Sequence, residues 1–137
     1  MHFVCTVHPN PRVAEPIRRI LGGLSNVQFT DPLPYPDTVA LLRRCYLVMT
    51  DSGGLQEEAP AIGKPVLVLR DTTERPEGVD AGVAAVVGRS ADTIVPAALR
   101  LLGNPAAYAQ MARTISPYGD GHAARRIVNV LRDRQQG

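Results

Sequence analysis

At 137 residues the chain can bury one substantial core and is too short for two typical domains. Apolar residues make up 45% and charged residues 20%, which fits a globular fold and argues against disorder. Fifteen basic against thirteen acidic residues leave +2, far too little for a nucleic-acid or membrane-surface footprint, and no apolar run approaches the roughly 20 residues of a membrane span. In chain order, short apolar runs alternate with longer amphipathic ones. Strands are predicted at Phe3–Val7, Val27–Phe29, Leu47–Met49, Val66–Leu69 and Ala84–Val87, several of them apolar nearly throughout, as parallel strands covered on both faces should be. Helices are predicted at Val13–Leu21, Asp37–Arg44, Leu55–Ile62 and Ala91–Leu102, the last capped by Ser90. Two more follow, at Pro105–Arg113 and Gly121–Arg134. Gly22 and Gly103 stand where C-terminal caps belong, and Pro16 is expected near the start of its helix, because deeper inside it deletes a backbone hydrogen bond.

Repeated β-α-β units with right-handed crossovers give an α/β fold, a Rossmann-like doubly wound parallel sheet, as a single domain over residues 1–137. Cys5 and Cys45 lie in or beside apolar segments with no Cys-x-x-Cys or histidine spacing. They are expected as buried reduced thiols, and a cytoplasmic setting follows.

Ligands of open parallel sheets bind beyond the carboxyl ends of the strands. Here those ends are followed by His8-Pro9-Asn10, Thr30-Asp31-Pro32, Asp51-Ser52-Gly53-Gly54 and Arg70-Asp71-Thr72-Thr73-Glu74-Arg75. Polar loops and capping residues account for some of these without any ligand. The third is the most informative. A strand running through two glycines into a helix leaves bare amide N–H groups at the positive end of a helix dipole, which suits phosphate. Glu57 and Glu58, one turn later, can accept hydrogen bonds from sugar hydroxyls. Phosphate donors beside hydroxyl acceptors describe a nucleotide pocket.

Other motifs fail. Gly63-Lys64-Pro65 lacks the upstream glycine and the hydroxyl of a P-loop, and its lysine precedes a strand rather than opening a helix. No Gly-x-Gly-x-x-Gly follows the first strand, Ser52 is in no Gly-x-Ser-x-Gly elbow, and His2, His8 and His122 show no metal-ligand spacing. No metal and no cofactor is implied.

The run Thr50-Asp51-Ser52-Gly53-Gly54-Leu55-Gln56-Glu57-Glu58-Ala59-Pro60, followed by Gly63-Lys64-Pro65-Val66-Leu67-Val68-Leu69-Arg70-Asp71-Thr72-Thr73-Glu74-Arg75-Pro76-Glu77, resembles the non-hydrolysing UDP-N-acetylglucosamine 2-epimerases. Val7-His8-Pro9-Asn10-Pro11 and Pro117-Tyr118-Gly119-Asp120-Gly121 match in the same order. The resemblance covers the carboxyl-terminal part of such an enzyme, the second Rossmann-like half of a glycosyltransferase-B arrangement, with the amino-terminal catalytic domain outside it. It implies enzymes that eliminate UDP from UDP-N-acetylglucosamine to give a glucal and add it back with C2 inverted. It also implies a place in cell-surface polysaccharide biosynthesis. Residue by residue, it assigns Ser52, Gly53 and Gly54 to the diphosphate, Glu58 to the ribose hydroxyls, and Arg75 to the nucleotide-sugar cleft. His8 falls to a second, regulatory UDP-sugar site. No catalytic acid or base falls within the chain, so the chain alone is expected to be inactive. The implied partners are UDP, UDP-N-acetylglucosamine and an amino-terminal epimerase domain, fused or separate. Thr38 stands where many relatives carry an aromatic near the uracil, and Ser116 replaces a usual asparagine. Two other readings stand beside it: a free-standing, non-catalytic nucleotide-binding module, which uses the same residues, and a domain of another glycosyltransferase-B enzyme, over which the Asp71–Glu77 motif favours an epimerase. In the final helix, part of the stripe Ala123, Ile127, Val128, Val130 and Leu131 is expected to pack on this domain's own sheet. Any remainder favours self-association into a homo-oligomer.

Overall fold

A computed structural model describes residues 1–135. The chain forms two compact units, Met1–Leu41 and a second from Leu42 onward. In the first, β1 (Phe3–Thr6) pairs parallel with β2 (Val27–Thr30), from Phe3 opposite Val27 to Thr6 opposite Thr30. The crossover is α1 (Pro11–Leu21), with Pro11 in its first turn and Asn10 as its cap, the Asn10 side chain accepting from the Arg12 N–H at 3.0 Å. Because the helix starts at Pro11, Pro16 falls in the second turn rather than near the start, and it has no N–H to offer the Arg12 carbonyl. Gly22 does cap the helix, but in right-handed conformation. Glycine is needed there because a Cβ would strike the Arg18 carbonyl oxygen. The Arg18 guanidinium lies over the Phe29 ring at 5.6 Å and pairs with Asp31 at 3.5 Å. α2 (Tyr35–Arg44) follows.

The second unit carries β3 (Val48–Thr50), α3 (Gly53–Ala61), β4 (Val66–Val68), α4 (Pro76–Asp80), β5 (Ala84–Val86), α5 (Ala91–Gly103), α6 (Pro105–Met111) and α7 (Ala123–Gln135). Its three strands run parallel in the order β3-β4-β5, with Val48, Val66 and Ala84 in one row. All three residues of β4 are buried, so the continuous apolar run reads as expected for a strand covered on both faces. Leu42, Val48, Ala59, Val66, Val68 and Ala84 form the core, flanked by Leu55, Ile62, Val79 and Val86.

Several details depart from expectation. Asn104, not Gly103, ends α5, and the same side chain caps α6 by accepting from the Ala106 and Ala107 N–H groups. Ser90 caps α5 as expected. α4 was hidden inside a stretch that reads as loop, although Pro76 in its first turn followed by Glu77 is a helix-start signal. The cysteines are free but only half-buried; Cys45 donates to the Leu42 carbonyl, and burial pushes its thiol pKa up. The apolar stripe of α7 does not pack on the sheet: Ile127 is 59% and Leu131 57% exposed. Thirteen residues with four arginines carry too little apolar surface to compete with the strands for the core already closed by α3 and α5.

Candidate functional site

The site is built on the β3–α3 turn. Thr50 ends β3 buried, and its hydroxyl accepts from the Ser52 N–H at 3.0 Å, which turns the chain sharply into the helix. Ser52 is the N-cap residue of α3 in extended conformation, yet its hydroxyl makes no cap bond. Asn10, Ser90 and Asn104 do cap α1, α5 and α6, so α3 differs from them. The N–H groups of Gly53, Gly54 and Leu55, in its first turn, have no intrahelical acceptor. They form a cradle of donors at the positive end of the helix dipole.

Neither glycine is required by the fold. Both are helical with ordinary φ. A Cβ at Gly53 would lie 3.6 Å from Glu74 Oε1, and one at Gly54 would lie 3.9 Å from Glu58 Oε1 and Ser52 Oγ, all ordinary contacts. Inside a helix glycine costs about 1 kcal/mol against alanine, and what two glycines leave open in this first turn is access to the backbone. The same distances show that Ser52, Gly53, Gly54, Glu58 and Arg75 are brought together, with Arg75 Nη2 3.9 Å from the Gly53 Cβ position. His8 belongs to the first unit. It is exposed just beyond β1, and its Nδ1 accepts from the Asn10 N–H at 3.1 Å, a local structural bond.

Charge around the cradle is mostly paired. Arg70 grips Glu74 with 2.8 and 3.0 Å bonds. The Glu74 carboxyl is held below its ordinary range, first by its own backbone N–H and then by Arg70. Arg75 Nε donates to Glu57 Oε1, and that bond and charge raise the arginine's already high pKa. Sequence reasoning did not find three residues that shape this region. Gln56 is buried at 1% exposure and accepts from Thr73 Oγ1 at 2.6 Å; Thr73 in turn accepts from the Arg75 N–H at 3.0 Å. Tyr118 Oη accepts from the Gly78 N–H at 3.0 Å, fastening the segment 117–121 to α4, and desolvation raises its phenol pKa. Gln56, Thr73 and Tyr118 all lie inside the motifs quoted above, so the signal was present, but partners 17 and 40 residues apart leave no spacing to read. Two open depressions of about 530 and 680 Å³ lie elsewhere in the second unit. One is beside Arg100, Met111 and Arg113, the other beyond β5 beside Asp71, Gly88 and Thr93. Among the described residues no cluster of three His, Cys, Asp or Glu side chains could hold a metal, and no helix is long and apolar enough to cross a membrane.

Parallel strands joined by helices, with β3 feeding an uncapped, glycine-opened helix, define a Rossmann-like α/β protein. The UDP-N-acetylglucosamine 2-epimerase family model matches residues 1–132, and the chain belongs to that family. The chain is 53% identical over 135 residues to the UDP-N-acetylglucosamine 2-epimerase of Yersinia pestis, covering 98% of this chain and 36% of that protein. Among solved structures it is similar to the Neisseria meningitidis enzyme bound to UDP-GlcNAc (TM-score 0.93, 44% identity, 97% of this chain and 36% of that one). It is similar also to S. aureus MnaA with UDP (TM-score 0.92, 42% identity, 98% of this chain and 37% of that one). Its fold is therefore that of one half of a glycosyltransferase-B-type enzyme, and it spans about a third of the length of the curated relatives it matches.

Proposed function

We propose that this chain is the UDP-binding part of a non-hydrolysing UDP-N-acetylglucosamine 2-epimerase, the half that holds UDP while it leaves the anomeric carbon and returns. The observation that carries this reading is the uncapped start of α3, with two glycines that neither conformation nor packing requires. Bare amides and the Ser52 hydroxyl stabilise the diphosphate of the leaving group, and preorganised donors of this kind cost no reorganisation during reaction. Glu58, one turn along, accepts from the ribose hydroxyls. Arg75 adds a donor on the side of Gly53. The second Rossmann-like half, fused or separate, supplies the acid and base groups for exchange of the C2 proton. Residues 1–137 act as one domain of that enzyme, and the exposed stripe of α7 offers a surface to the other half or, failing that, to a second copy. Alone, the chain performs no epimerisation. His8 serves a regulatory UDP-sugar site, and the setting is cytoplasmic.

Glu58→Gln tests the assignment. It should weaken UDP several-fold and leave pyrophosphate unchanged, because only UDP carries the ribose. Equal losses for both ligands count against the ribose role, and conversion of UDP-N-acetylglucosamine by the purified chain counts against the division of labour.

A further inference from the structure

Arg75 sits on a loop at the mouth of a five-residue helix, and a free arginine side chain there would spread over many rotamers. One backbone bond orders the loop and two side-chain bonds remove that freedom. Its backbone N–H donates to Thr73 Oγ1 at 3.0 Å, and the same hydroxyl donates to Gln56 Oε1 at 2.6 Å. Its Nε donates to Glu57, and Nη1 donates to the Glu74 carbonyl at 3.2 Å. Nη2 is left facing the cradle, 3.9 Å from where Gly53 would carry a Cβ. Gln56 and Glu57 both belong to α3, so the helix whose amides form the cradle also aims the arginine beside it. Pairing with Glu57 removes most of the free charge, which makes the direction of the remaining N–H groups count for more than the charge itself. Gln56 is also an expensive choice on packing grounds, because its Nε2 is buried with no hydrogen-bond partner.

We propose that Thr73, seated on buried Gln56, and Glu57 are positioning residues that fix Arg75 toward the amino-terminal end of α3; this rests on the UDP reading above. The relay orders the loop before ligand arrives, so that binding does not have to. The test is a cycle of UDP titrations by calorimetry on the chain and its variants. Thr73→Val, which keeps shape and loses the hydroxyl, should weaken UDP about fivefold, the worth of one hydrogen bond. Thr73→Ser should bind within about twofold of the unaltered chain, since it keeps that bond. In an Arg75→Ala background, Thr73→Val should cost nothing further. If Thr73→Val perturbs the amide spectrum beyond the 70–76 loop, Gln56→Met replaces it in the same cycle. The inference is overturned if UDP binds unchanged to Thr73→Val, if Arg75→Ala alone has no effect, or if the loss persists without Arg75. A different failure, no UDP-induced shift at Ser52, Gly53 and Gly54 of the unaltered chain, overturns the UDP reading itself and the inference with it.

Discussion

β4 and α7 are both apolar segments of the second unit, and the fold treats them oppositely. Val66, Leu67 and Val68 lose essentially all solvent contact, while Ile127, Val128, Val130 and Leu131 of α7 keep about half or more of theirs. The difference lies in what surrounds them. β4 is hydrogen-bonded on both edges, by β3 and β5, and covered by α3 and α5. α7 follows a turn built from Pro117–Asp120 and is tied back mainly by polar bonds: the Asp120 carboxylate grips Arg126 and accepts from the His122 N–H at 3.0 Å. An apolar stripe is an offer of burial, and a core already filled does not take it up.

Mutations should expose that contrast. Leu67→Ala leaves a cavity in a closed core and should cost about 2–5 kcal/mol in chemical denaturation. Leu131→Ala should stay within about 0.5 kcal/mol, and a comparable loss at both sites would break the comparison. Between these extremes stands Gly78→Ala. The new Cβ would lie 2.6 Å from Tyr118 Oη, forcing the 117–121 segment off α4, and should cost about 1–3 kcal/mol. A Gly78→Ala, Tyr118→Phe double variant should recover part of that loss, because the ring carbon behind the hydroxyl is at an ordinary 3.7 Å, while the hydrogen bond from the Gly78 N–H stays lost.

One pH effect belongs to the α7 side. Arg126 first, and then the His122 N–H, hold the Asp120 carboxyl below its ordinary range. A depressed folded-state pKa contributes stability that is present above the unfolded value of about 3.9 and is lost as pH falls through the folded value. The Asp120 side-chain carboxyl resonance should therefore titrate only below about pH 4, with β4 amides unmoved in the same titration. An α7 that titrates together with β4 would mean the two are cooperatively coupled. The smallest effect concerns association. Light scattering across concentrations should show self-association that Leu131→Asp abolishes, and a strictly monomeric chain indifferent to that change would show that α7 needs no cover.

The sequence made the β4 half of this contrast legible and obscured the other. Apolar runs located the five described strands, although only β4 is buried throughout and β1 leaves Phe3 and Val4 each 44% exposed. The cradle was equally local: Ser52, Gly53, Gly54 and Glu58 span seven positions, and glycines opening a helix have few other uses. What escaped was of two kinds, misplaced helix starts and long-range partners. Pro16 was expected early in its helix because the Asn10 cap that starts α1 was not recognised. α4 was lost in what read as loop, and the Gln56–Thr73–Arg75 relay joins one loop to a helix 17 residues away. For α7, periodicity correctly gave a helix but could not say whether a surface was available to it.

The central claim is that the uncapped start of α3 is the seat of UDP. The most direct measurement is an amide NMR titration of the chain with UDP. Saturable shifts should centre on Ser52, Gly53, Gly54 and Leu55 and extend to Glu58 and Arg75, with α7 unaffected. Saturation by UDP that moves other regions and leaves the amides of Ser52, Gly53 and Gly54 in place would contradict it.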